Sequence, residues 1–100
     1  MKIAISSEGE SLDSMVSEKG GRAPYYLIFE NKNLVEVIKN PFAVGGGGAG
    51  FSVAYMLADK GVEMIITGQI GENMKNALEE KGISFKQEEN KTVQQILNFL

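Results

Sequence analysis

The chain has no cysteine and no histidine, and each absence removes a class of function. Without cysteine there is no disulfide framework, no thiolate metal site and no cysteine nucleophile. Without histidine there is no imidazole ligand and no imidazole base. A conventional zinc enzyme and a Ser-His-Asp hydrolase are thereby excluded. Positive charge is scarce as well: ten basic residues stand against thirteen acidic ones, for a formal charge of -3, and Arg22 is the single arginine. That balance argues against nucleic acid as a partner. No run of about 18 apolar residues exists to span a membrane, and the N-terminus turns polar too early for a signal-peptide apolar region. The expectation is a cytoplasmic protein with no membrane partner.

What is present is ordinary for a globular domain. Of 100 residues, 43% are apolar and 23% charged, enough apolar material for one core, so residues 1–100 are expected to form a single domain. Residues 2–6 form a short apolar run that reads as a strand. A long polar segment follows, with Ser7, Ser11, Ser14 and Ser17 and few large apolar groups, so residues 7–21 are expected to be loosely held. Residues 25–30 and 34–39 are two β-rich runs separated by Asn31-Lys32-Asn33, the pattern of an antiparallel hairpin, and Asn40-Pro41 ends it. The run Gly45-Gly46-Gly47-Gly48-Ala49-Gly50 suits neither a helix nor a strand interior.

A helix is expected after Gly50, with Phe51, Ala54, Tyr55 and Ala58 spaced along one face and Gly61 as its stop. Residues 62–67 then read as a strand, residues 72–81 as a helix facing inward through Met74, Ala77 and Leu78, and residues 83–86 as another strand. Thr92 with Gln95 makes a capping box for a last helix whose apolar stripe is Val93, Ile96, Leu97 and Leu100. The class is α/β, with a mixed five-stranded sheet, an antiparallel hairpin and three helices.

Ligands of such sheets sit beyond the carboxyl ends of the strands, here the serine-rich segment, the glycine run and the turn Thr67-Gly68-Gln69-Ile70-Gly71. Gly45, Gly47 and Gly50 match G-x-G-x-x-G. The acidic residue that a dinucleotide site needs about 20 residues further on is replaced by Thr67, Gly68 and Gln69. The run suits a flexible loop or an anion cradle at a helix N-terminus. Arg22 offers a planar fork for an anion, or is a simple strand-end residue. A two-metal nuclease would need carboxylates on central strand ends, and the first strand has none.

Taken together, Gly21-Arg22-Ala23-Pro24-Tyr25-Tyr26, Asn40-Pro41, Gly48-Ala49-Gly50 and Ile66-Thr67-Gly68-Gln69-Ile70-Gly71 resemble the dinitrogenase iron-molybdenum cofactor biosynthesis family. The resemblance implies a ribonuclease H-like motif in which the second strand runs against the others. It implies a nitrogenase-accessory role: binding or carrying an iron-sulfur or iron-molybdenum cluster precursor without catalysis, passed from or to a donor or acceptor protein. Where family members often carry a histidine and an aromatic residue before Gly-Arg, this chain has Lys19 and Gly20. A cluster would be held here without Cys or His ligands, by Lys19, Gly21, Arg22, Gly48, Gly50, Thr67, Gly68 and Gly71, and the protein is expected to be a monomer. The alternative is a small interaction or regulatory domain that keeps the fold and binds no cluster.

Overall fold

The computed structural model describes residues 1–45 and 47–100; Gly46, within the glycine run, lies outside the described residues. The element order is β1 (Lys2–Ser7), β2 (Tyr25–Glu30), β3 (Asn33–Lys39), α1 (Ala49–Asp59), β4 (Met64–Thr67), α2 (Glu72–Glu80), β5 (Ser84–Gln87) and α3 (Val93–Asn98). The strands form one sheet in the order β3-β2-β1-β4-β5. β2 pairs antiparallel with both β1 and β3, while β1-β4 and β4-β5 are parallel, so β2 alone runs against the other four. This layout fits the ribonuclease H-like expectation.

The hairpin turns on Asn31 (φ 51°) and Lys32 (φ 68°), two consecutive left-handed residues of the kind that a tight two-residue connection requires. Period-two alternation then divides the core. Ala4, Ile28 and Ile65 point to one face, where they pack with Val53, Ala54 and Leu57 of α1 and Met74, Ala77 and Leu78 of α2. Ile5, Leu27, Phe29 and Ile66 point to the other, where they meet Val16 and Val93, Ile96 and Leu97 of α3. The order reverses at β1-β4, the switch point where a crevice opens beyond the carboxyl ends of an α/β sheet.

Three local expectations need correction. α1 begins at Ala49 and takes Gly50 into its first turn, because α1 and α2 approach so closely that a Cβ on Gly50 would stand 2.8 Å from the Met74 Cβ. Its buried face is Ala49, Val53, Ala54 and Leu57, whereas Phe51 and Tyr55 stay 37% and 39% exposed. The face is set by small residues that admit α2, so the aromatic spacing misleads. The serine-rich segment is also far from loose. The Ser17 N–H donates to the Ser6 carbonyl (3.0 Å), the Val16 N–H to the Lys91 carbonyl (2.9 Å), and the Val93 and Gln94 N–H groups donate to the carbonyls of Ser14 and Leu12 (both 2.9 Å). The segment thus closes over the α3 face, with Val16 and Ser17 buried.

Candidate functional site

Lys19, Gly21, Arg22, Gly48, Gly50, Thr67, Gly68 and Gly71 lie at one end of the sheet, and backbone pairing organises it. Beyond β4, the Gly68 N–H donates to the Ser17 carbonyl (2.9 Å), the Gln69 N–H to the Glu18 carbonyl (2.7 Å) and the Gly20 N–H to the Gln69 carbonyl (2.8 Å). Residues 17–20 therefore run alongside residues 68–69 as a short ladder that continues the sheet past its strands. The closeness demands glycine: a Cβ on Gly68 would stand 2.5 Å from the Glu18 Cα, and one on Gly20 would stand 2.7 Å from the Gln69 carbonyl oxygen. Behind the ladder, the buried Thr67 hydroxyl pairs with that of Ser6, which also reaches the Ser17 carbonyl at 3.2 Å.

Two cavities open at this end, and Arg22 lines both. The first, about 400 Å³, is bounded by Glu8, Met15, Glu18, Lys19, Arg22 and Asn90 among others. Its charges are mixed. The second, about 340 Å³, is bounded by Gly21 and Arg22, by Gly48, Ala49 and Gly50 at the start of α1, and by Gly71, Glu72, Asn73 and Met74 at the start of α2. Two helix N-termini thus meet in one cavity. Neither has a side-chain cap, since the N-cap residues are Gly48 and Gly71. The intrahelical ladders begin with Ser52 bonded to Gly48 and Lys75 bonded to Gly71, so among the described residues the first-turn N–H groups of both helices have no protein acceptor. Aligned helix dipoles add partial positive charge at the same place. Glu72 is the one carboxylate lining this second cavity, and it sits in the first turn of α2.

Of the residues singled out from the sequence, Gly21, Arg22, Gly48, Gly50 and Gly71 come together around the second cavity, and Lys19 lines the first. Thr67 and Gly68 line neither: they lie behind, fastening the ladder to β1. Met15, Met74, Glu8, Glu18, Glu72 and Asn90 were not singled out as site residues. Met74 was legible only as part of an apolar helix face, and Asn90 lines the first cavity from a left-handed position (φ 59°) that no short motif announces.

The donor set decides what chemistry is available. Among the described residues no group of three or more acidic, cysteine or histidine side chains could hold a metal ion, and the chain lacks thiolate and imidazole altogether. A bare iron or molybdenum ion finds no soft ligand sphere here. An anion whose own ligands are already complete finds N–H donors, one guanidinium and one ammonium.

A mixed five-stranded α/β domain with this donor-lined crevice is the class of protein defined by the fold and site. The sequence model for the dinitrogenase iron-molybdenum cofactor family matches residues 1–100, and the chain belongs to that family. The apo form of the orange protein from Desulfovibrio gigas is similar, at 31% identity and a TM-score of 0.90 over 97% of this chain and 83% of that one. So is a NifB-like protein of the DUF35 family from Thermotoga, at 35% identity and a TM-score of 0.83 over 97% of this chain and 84% of that one. A dinitrogenase-related protein from Methanocaldococcus jannaschii shares the fold, with 20% identity and a TM-score of 0.68. No curated protein matches the chain in sequence. Among the described residues no helix is long and apolar enough to cross a membrane.

Proposed function

We propose that the protein holds a preassembled, anionic iron-sulfur or iron-molybdenum cluster precursor at the carboxyl end of its sheet, taking it from a donor protein or passing it to an acceptor protein without catalysing a reaction. The observation that carries this reading is the convergence of two uncapped helix N-termini and Arg22 on one cavity, in a chain of a cofactor family that has no side chain able to ligate iron through sulfur anions or imidazole. Arg22 and the N–H groups after Gly48 and Gly71 hold the anion, Gly21 and Gly50 let the surrounding backbones close up, and Lys19 supplies a second cation from the neighbouring cavity. Thr67 and Gly68 act from behind by fixing the ladder on which Lys19 is carried. Because no covalent bond forms to the metal, retention is reversible and weakens with salt. Release to a partner protein then needs no ligand exchange at the protein.

The test is anaerobic incubation of the pure protein with a synthetic iron-sulfur thiolate cluster dianion, followed by gel filtration at low and at moderate salt. Co-elution at low salt that declines with salt is the expected result. Arg22→Glu should abolish it, while Lys81→Glu, the same charge change at the far end of α2, should leave most of it. Equal losses from both substitutions would reduce the site to net charge. No retention by the unmodified chain at low salt would favour an interaction domain that binds no cluster.

A further inference from the structure

Arg22 can serve an anion only if the chain around it turns its carbonyl oxygens elsewhere, because each carbonyl left facing the crevice would set a negative dipole end against the ligand. Three carbonyls flank it, those of Gly20, Gly21 and Ala23, and all three are taken up by two side chains from outside the segment. The Asn40 amide, 5% exposed, donates to the Ala23 carbonyl at 2.9 Å and to the Gly21 carbonyl at 3.2 Å. The Tyr26 hydroxyl, fully buried, donates to the Gly20 carbonyl at 2.5 Å. The two are themselves linked, Asn40 Nδ2 lying 3.4 Å from the Tyr26 oxygen. Asn40 is fixed in turn: its Oδ1 accepts the Phe42 N–H and its own N–H donates to the Pro24 carbonyl, both at 2.9 Å. The pair sits at the β2-β3 end of the crevice, where Tyr26 opposes Ile38 in the hairpin register.

We propose that Asn40 and Tyr26 are positioning residues, which draw the Gly20, Gly21 and Ala23 carbonyls into the protein and so present Arg22 to the crevice. This rests on the anion-holding reading given above. A buried amide that donates to the two backbone carbonyls on either side of one cation has no equivalent elsewhere among the described side-chain hydrogen bonds, and neither residue lines either cavity. They touch no ligand directly and act through the segment that carries Arg22. Burial pushes the Tyr26 phenol above the ordinary tyrosine range, which keeps its proton in place as the donor to Gly20.

The experiment combines two readouts on Asn40→Ala, alone and together with Arg22→Ala. Amide exchange in the free chain should rise about tenfold or more at residues 21–23 while Ile65 and Ile66 keep their rates. Affinity for the iron-sulfur thiolate cluster dianion should fall about tenfold when Arg22 is present and change less than about twofold when Arg22 is already alanine. A general packing defect would raise exchange throughout and cost the same affinity in both backgrounds, and either result overturns the proposal. Tyr26→Phe, which keeps the ring and removes one hydroxyl, guards against a failure of Asn40→Ala to fold; it should produce the same pattern at about a third of the size. If the unmodified chain binds no cluster, the anion-holding reading falls by itself, and exchange at residues 21–23 that is unchanged by Asn40→Ala overturns the positioning role independently.

Discussion

The N-terminus of α3 and those of α1 and α2 solve the same problem in opposite ways. α3 starts on Thr92, whose hydroxyl accepts the Gln95 N–H at 3.1 Å while the Gln95 side chain accepts the Thr92 N–H at 2.8 Å. The carbonyls of Ser14 and Leu12 take the N–H groups of Val93 and Gln94. Its first turn is saturated. α1 and α2 start on glycines that have no side chain to give, and their first turns open onto a cavity with Arg22 beside them. Saturation at one end and, among the described residues, open first turns at the other two separate the regions: the α3 end fastens the serine-rich segment to α3, and the α1-α2 end is the one at which we propose that a ligand is held.

The comparison breaks most severely at the ladder that separates the two regions. Gly68→Ala would drive a methyl into backbone, 2.5 Å from the Glu18 Cα and 2.8 Å from its carbonyl carbon and oxygen, and backbone cannot swing aside as a side-chain tip would. A loss of about 2–3 kcal/mol in denaturant unfolding is expected. A loss under about half that would mean that residues 17–20 detach from Gln69 without cost.

Alkaline pH tests the buried Tyr26. Its pKa is raised by burial, so above the ordinary tyrosine value of about 10 the unfolded chain gives up a proton that the folded chain keeps. The unfolded state then binds fewer protons, and stability should fall with rising pH by up to about 1.4 kcal/mol per unit until the folded group titrates. Below that range the contribution is complete. Tyr26→Phe should flatten the alkaline limb, and an unchanged slope would assign it to other groups.

Thr92→Ala isolates the saturated end. Loss of the hydroxyl should cost about 1 kcal/mol of unfolding free energy and leave cluster retention untouched, because α3 lines neither cavity. Reduced retention would show that the α3 cap and the crevice are coupled through the serine-rich segment.

That capping box could be read directly from Thr92 and Gln95, since its partners are three residues apart and both are side chains of diagnostic type. The hairpin was legible for the same reason: turn formers lie between two β-rich runs. Arg22 and the glycines at 48, 50 and 71 could be picked out as candidates by residue type and by resemblance, and the fold brings them to one end. The ladder of residues 17–20 against 68–69 left no trace, because it consists of backbone bonds between segments about fifty residues apart, and the serines around it suggested slack chain. α1 misled through Phe51 and Tyr55: their spacing is helical, but the space against α2 is too narrow for aromatics. Tyr55 instead lies under Lys81, whose Nζ is 5.0 Å from the ring centre.

The smallest change in stability should carry the sharpest functional contrast. Gly71 has φ -75° and ψ 165°, the extended geometry of an ordinary N-cap residue, and a Cβ there would meet nothing within 4 Å. Aspartate is therefore admissible, and in that position its carboxylate can accept an N–H from the first turn of α2. Capping and the reduced freedom of the unfolded chain should together stabilise the free protein by about 0.5–1 kcal/mol. The same carboxylate would consume the donors and add negative charge to the cavity that Arg22 lines, so retention of an anionic cluster should be lost while the melting temperature rises. Gly48 offers no such route, because its φ of 88° suits glycine and would strain aspartate. Gly71→Asp thus turns the α2 end into a likeness of the α3 end. A variant that is more stable and still retains the cluster at low salt would show that the bare first turn of α2 is not what holds it.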